Sequence, residues 1–388
     1  MEKVALLKCD EYKVESIEKK LREGFELLGG DDFLRTLIPY NSKVLLKPNL
    51  LSIERKESPV VTNYKVFEAV IRIIRDYSSN IIFGDSPGVG DSRKAAELCG
   101  LMEVAERYDV KFNSFKDEIH VKLDNSILCK SWNVAKVAYE SDVLITLPKL
   151  KTHAMAYYTG AIKNQFGCIT GTKKAQWHTR MPDAENFCKM LLDLNTLVGT
   201  DFAILDGIVA MEGNGPKNGS AKKMNTLIMG KSPSAVDSVA VRLIGYDNPL
   251  DTPVLKEVYD SKWGAVLPKD IEVLGEKIEN MKQKDFKLCR KGGNFYFKNP
   301  VVNNFLKSLI APDPALIYDK CISCLRCAEV CPEKPNVIKF IEKKGKTIPV
   351  WNMNRCIRCF CCQELCPVGA ITTKDKFLGK LLKGEGEK

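Results

Sequence analysis

The chain has 388 residues, 45% hydrophobic and 28% charged, an ordinary globular composition with room for two or three domains. It holds no apolar run approaching the roughly 18 residues of a membrane helix, and the apolar stretch after Met1 is too short for a signal peptide, so a cytoplasmic protein without a membrane span is expected. A formal net charge of +10 would suit nucleic acid, but the lysines are dispersed and no basic run is interleaved with aromatics, so no nucleic-acid partner is expected.

Up to residue 290, short apolar strands alternate with amphipathic helices, which predicts an α/β domain whose mainly parallel sheet is flanked by helices. Lys3–Cys9 reads as a strand. Val14–Leu28 reads as a helix with Ile17, Leu21, Phe25 and Leu28 on one face, stopped at Gly29 and Gly30. Strand Lys43–Leu46 runs into Lys47, Pro48, Asn49 and Leu50, and helix Thr62–Tyr77 follows. Strand Asn80–Phe83 empties into the loop Gly84-Asp85-Ser86-Pro87-Gly88, and Arg93–Tyr108 is helical with a break at Gly100. Residues 110–136 suggest short strands. The buried strand Asp142–Leu147 runs into Pro148-Lys149-Leu150-Lys151-Thr152-His153. A polar stretch with Trp177 and His178 precedes a helix from Asp183 to Val198. Strand Asp201–Leu205 ends at Asp206 and Gly207, and Thr226–Met229 is another, followed by a helix that Ser232 caps and Pro233 opens.

In open parallel sheets, ligands gather beyond the carboxyl ends of the strands, where these polar loops lie. In an extended backbone Lys149, Lys151 and His153 share one side and form a cationic comb for a phosphate or carboxylate. The loops Gly84–Gly88 and Gly213–Pro216 can each turn backbone N–H groups toward an anion. No dinucleotide fingerprint is present, and Asn225 stands where a P-loop needs its first glycine. Asp85, Asp206, Glu212 and Asp237 are candidate acids or metal ligands, although Asp206-Gly207 is also an ordinary turn pair. His178 is a candidate proton donor in a lid, with an exposed histidine as the plainer alternative.

Near the carboxyl end, Cys321, Cys324, Cys327 and Cys331-Pro332 form one C-x2-C-x2-C-x3-C-P run, and Cys356, Cys359, Cys362 and Cys366-Pro367 form a second. This spacing suits a [4Fe-4S] cubane, with the fourth cysteine of each run serving the cluster of the other. Cys321, Cys324, Cys327 and Cys366 are therefore expected on one cluster, and Cys356, Cys359, Cys362 and Cys331 on the second. Zinc sites more often show C-x2-C pairs set far apart, frequently with histidine. Cys361 is out of phase with the ligand set. The six remaining cysteines have no pairing rhythm and read as small core residues in a reducing compartment.

Residues 316 to 373 resemble bacterial two-cluster ferredoxins, of α+β fold, with extra residues after Cys331-Pro332 as a departure. The loops at Lys47–Leu50, Gly84–Gly88, Leu147–His153, Gly160–Gly167 and Asp206–Pro216 resemble the family of the domain of unknown function 362, over about residues 35 to 245. That resemblance implies an α/β fold, a site at these loops and a ferredoxin module after it. It adds Lys47, Asn49, Lys163, Asn164, Gly213 and Gly215 as binding candidates beside Lys149, Lys151, His153, Asp85, Asp206, Glu212 and His178. The expected domains are 1–290, a linker at 291–315, the cluster domain at 316–373 and a flexible basic tail at 374–388. The expected function is a ferredoxin-coupled oxidoreductase that exchanges electrons with a protein donor or acceptor and acts on a small anionic ligand. The alternatives are an adaptor that docks a partner enzyme and a cluster-based redox sensor. No pattern in the sequence supports a flavin or another redox cofactor.

Overall fold

The computed structural model describes residues 1–289 and 313–374, apart from positions 89, 172, 182 and 332. In the larger part the strands are β1 (Glu2–Lys8), β2 (Val44–Pro48), β3 (Ile81–Gly84), β4 (Lys111–Asn113), β5 (Glu118–Lys122) and β6 (Ser131–Ala135). Then come β7 (Val143–Leu147), β8 (Lys149–His153), β9 (Tyr157–Thr159), β10 (Phe202–Glu212), β11 (Ser220–Gly230) and β12 (Ile271–Gly275). The main sheet runs β12-β1-β11-β10-β7-β2-β3-β4, with β8 on β10 and β9 on β8, while β5 and β6 form a separate hairpin. The pairs among β10, β7, β2, β3 and β4 are parallel, as is β1 with β12, so the sheet is mixed and mainly parallel with helices on both sides.

Successive strand residues face opposite sides of a sheet, and here each side has its own core. Val4, Leu6, Leu45 and Leu144 join one core, packed with helices Ala184–Val198 and Pro233–Leu243. Ala5, Leu7, Leu46 and Ile145 join the other, packed with helices Val14–Leu28 and Tyr64–Ile74. Helix Tyr64–Ile74 starts later than the sequence suggests because the Asn63 side chain caps it, accepting from Lys65 N. Gly100, at φ 87°, breaks the following helical stretch as expected.

Two departures from the expected alternation shape the site. Strands β10 and β11 are eleven residues each and antiparallel, and β11 returns to pair antiparallel with β1. The polar stretch at Trp177 and His178 is a helix, Lys173–Arg180.

In the cysteine-rich part, β13 (Asp313–Leu316) pairs with β16 (Ile371–Lys374), and β14 (Ile338–Lys343) with β15 (Lys346–Trp351), all antiparallel. Asp313–Leu316, expected at the end of a linker, is thus a paired strand. The rest of that linker and the tail from 375 lie outside the described residues. Two one-turn helices, Arg326–Glu329 and Cys361–Glu364, follow the second cysteine of their respective runs.

Candidate ligand cavity and cysteine sites

Lys47 leaves the end of β2 and Asp85 the end of β3, and they meet in a buried ion pair, Nζ to Oδ1 at 2.8 Å. Asp85 Oδ2 also accepts from Leu50 N at 2.7 Å, tying the two strand-end loops together. Gly167 packs against this pair so closely that a Cβ there would lie 1.9 Å from Asp85 Oδ1. Next to it, Asn49 Nδ2 donates to Asn164 Oδ1 at 3.0 Å, and Asn164 Nδ2 donates to Lys47 O and Thr146 Oγ1. Lys151 Nζ completes the lattice, donating to Asn49 Oδ1 at 3.1 Å and Val60 O at 2.9 Å.

This lattice floors a cavity of about 390 Å³, within the range of small-molecule sites. Asn49, Asp85, Lys151, Lys163, Asn164 and His178 all line it, so six of the candidates named from the sequence converge there. Lys174 joins them from helix Lys173–Arg180, its ammonium held by Ser86 Oγ at 3.0 Å and by Ile169 O. The roof comes from the cysteine-rich part: Arg326 next to Cys327, Glu329 and Val330 just before Cys331, Cys361 next to Cys362, and Leu365 next to Cys366. Asn218 Nδ2 donates to Gln363 O at 3.2 Å and Gln363 Nε2 donates to Asn214 Oδ1, fixing the roof on the loop after β10.

The other candidates stand apart from the cavity lining. Of the expected comb, Lys149, Lys151 and His153 lie on one strand, β8, which pairs β10 through an irregular register; all five of its residues are buried, and of the three only Lys151 lines the cavity. Lys149 turns to a buried pair with Asp206, Nζ to Oδ2 at 2.8 Å, and Tyr12 bridges the two through hydrogen bonds of 2.7 Å. Burial pulls the Lys149 ammonium below its ordinary value and Asp206 offsets part of that pull. Both residues of this pair are buried, and neither lines the cavity. His153 is buried, its Nδ1 accepts from Met155 N and Ala156 N, and burial holds the ring neutral. Glu212 accepts from Lys287 N at 2.9 Å. Gly213 O accepts from Thr152 Oγ1, and Gly215 lies close against the Thr152 backbone. Asp237 accepts from Ala161 N and Ile162 N, and burial raises its carboxyl to about 7. His178 is not exposed: it stacks on Phe187 at 4.8 Å, and burial, helped by Lys163, lowers its ring to about 3.

The cysteines fall into two further cavities. Cys321, Cys324, Cys327 and Cys366 line one, and Cys331, Cys356, Cys359 and Cys362 the other. In both runs the residues on either side of the second cysteine, Ser323 and Leu325 around Cys324, Arg358 and Phe360 around Cys359, have φ between 56° and 59°. This left-handed backbone is rare outside glycine, and it curls each loop so that its thiols face inward. Among the described residues no three His, Cys, Asp or Glu side chains are placed to hold a lone metal ion. The thiols surround a space instead of a point, which suits the corners of a cubane better than a zinc ion with bonds of about 2.3 Å. The buried Trp351 indole lines the second cavity and its Nε1–H is directed to the Cys362 sulfur, a donor suited to a thiolate or sulfide. The donor set therefore fits iron–sulfur clusters. Cys361 lines the ligand cavity and neither of these two.

Sequence reasoning missed Lys174, Thr159, Phe166 and the whole roof. Lys174 carried only the signal of a polar stretch, and the roof residues occupy unremarkable positions between cysteines.

Among the described residues no helix is long and apolar enough to cross a membrane. A thylakoid-associated protein of Synechocystis, sll1697, is 33% identical over 253 residues, which cover 65% of this chain and 77% of that protein. Two solved structures are more distant. The lactate racemase apoprotein of Thermoanaerobacterium thermosaccharolyticum shares 13% identity at a TM-score of 0.41, covering 58% of this chain and 54% of that one. A Thermotoga maritima protein shares 12% identity at a TM-score of 0.35, covering 66% of this chain and 60% of that one. Residues 320–370 match the 4Fe-4S dicluster domain, which makes this part an iron–sulfur, ferredoxin-type domain. Residues 44–242, which span β2 to the helix after β11 and hold the floor of the cavity, match the Domain of unknown function (DUF362), and the chain belongs to that family.

Proposed function

We propose that this protein is an iron–sulfur oxidoreductase that exchanges electrons with a small anionic ligand held between its two parts. Cys321, Cys324, Cys327 and Cys366 hold one [4Fe-4S] cluster, and Cys331, Cys356, Cys359 and Cys362 hold the second. Bound there, the clusters supply single electrons. The protein's own residues bind and orient the ligand. Lys151, Lys163 and Lys174 place positive charge around it in a water-poor site, where preorganised charge acts strongly. Asp85 contributes little net charge because Lys47 neutralises it. Asn49 and Asn164 hold Lys151 in place, and His178, neutral before a ligand enters, offers Nδ1 as a proton donor or acceptor.

The observation that carries this reading is the roof: residues adjoining Cys327 and Cys362 wall the same cavity as Lys151 and Asn164. The test is anaerobic purification of the full chain, iron and sulfide analysis, electron paramagnetic resonance after dithionite, and mass spectrometry of any small molecule released on denaturation. An iron-free protein that is folded and active would sink the redox reading.

An electron-carrying adaptor is the second reading, and one observation favours it. Cys324 is the exposed cysteine of the first set, and Ile322, Leu325 and Val368 around it are exposed apolar residues suited to a protein electron donor or acceptor. Substituting Lys151 separates the two readings. Turnover lost with partner binding intact supports the enzyme, and partner binding lost with cluster reduction intact supports the adaptor.

A further inference from the structure

The cavity has a polar corner with incomplete hydrogen bonding. Lys151 and Thr159 are directly paired across β8 and β9, so their side chains share one face of the ribbon, and both line the cavity. Thr159 is 2% exposed and its Oγ1 has no hydrogen-bond partner among the described residues. His178 is 3% exposed, lines the same cavity, and its Nδ1 has no partner among the described residues. Lys163 stands between the phenyl rings of Phe166 and Phe187, 5.6 and 5.8 Å from their centroids, and it also lines the cavity. Buried hydroxyl and imidazole groups are normally satisfied. Two orphans in one cavity beside lysines indicate a binding partner that is itself an acceptor, and an oxyanion fits. Apolar side chains line the cavity as well, Leu51, Pro87 and Phe166 from the larger part and Val330 and Leu365 from the roof, where Arg326 and Glu329 stand beside them.

We infer that Lys151, Thr159, Lys163 and His178 form an oxyanion subsite, and that the ligand is a carboxylate or phosphate monoester with an apolar, ring-sized body lying under the roof. The inference rests on the ligand-binding part of the proposed function and names the ligand's chemistry. Thr159 Oγ1–H and His178 Nδ1–H donate to the oxyanion, the two lysines neutralise it, and Phe166 and Leu365 cover the apolar body.

The test is calorimetric titration of the full, cluster-loaded chain with inorganic phosphate, phenyl phosphate and benzoate. Phenyl phosphate or benzoate is expected to bind at least tenfold more tightly than inorganic phosphate. Preference for phenyl phosphate identifies a phosphate ester, and preference for benzoate a carboxylate. Thr159→Val should weaken the preferred probe at least fivefold and Thr159→Ser should restore it to within twofold, with His178→Phe as a second loss that keeps the stack on Phe187. No binding of any probe, or equal binding in wild type, Thr159→Val and His178→Phe, overturns the inference. Iron content and the reduced-state resonance signal are read on the same samples. Either can fail while the other holds, so failure of the redox reading is seen separately from failure of the subsite.

Discussion

Two residues show how tightly the floor is specified. Gly167 leaves room for the Lys47–Asp85 pair, and Gly167→Ala would place a methyl group 1.9 Å from Asp85 Oδ1. Forcing a buried pair apart strands its charges, so a loss of about 3 kcal/mol is expected, read as a lower urea midpoint. Asp206→Asn should cost a similar amount, because it leaves the Lys149 ammonium buried without its partner. His178 ties stability to acidity. Its ring sits at about 3 against an ordinary 6.5, so in that window the unfolded chain takes up a proton that the native chain refuses. Its contribution is whole above pH 6.5 and is lost as the pH falls toward 3, at about 1.4 kcal/mol per pH unit. Asp237, raised to about 7, tilts the opposite way. The difference between wild type and His178→Phe cancels that tilt, so wild type should lose stability relative to the variant by about 1.4 kcal/mol per pH unit as the pH falls from 6.5 to 5, read in urea titrations.

Among the elements, the cysteine loops make the sharpest prediction. Cys331 belongs to the first run by sequence and to the second cavity by position. Cys331→Ala should therefore perturb the same resonance signal as Cys356→Ala and a different one from Cys321→Ala. Each variant should lose about four of eight irons. The cysteine rhythm was legible because thiol spacing along one loop is local chemistry. The strands at 44–48, 81–84 and 143–147 were legible because their apolar runs are bounded by polar loops, and helix Val14–Leu28 because its apolar face repeats at helical spacing. Strand β11 was found, but not its direction, since Thr226–Met229 reads alike parallel or antiparallel. Of the candidate residues, Lys151 and Lys149 looked equivalent in sequence. An irregular pairing with β10 sends one to the cavity and the other into a buried pair.

In the whole molecule, the ligand cavity exists because the cysteine-rich part rests on loops that begin near Asn49, a closeness that no local pattern encodes. Leu365 approaches Gly88, whose N–H donates to Leu51 O at 2.9 Å. Leu365→Ala should loosen this seam by about 1 kcal/mol, read as faster amide exchange at Gly88 with iron content unchanged. The exchange of fourth cysteines between the two runs also has a consequence for biogenesis. As the polypeptide leaves the ribosome, the set that starts first, at Cys321, is completed last, at Cys366, whereas the set containing Cys331 has all its sulfurs by Cys362. A nascent chain halted between those two residues would offer one complete set of four thiols and one set still lacking its fourth.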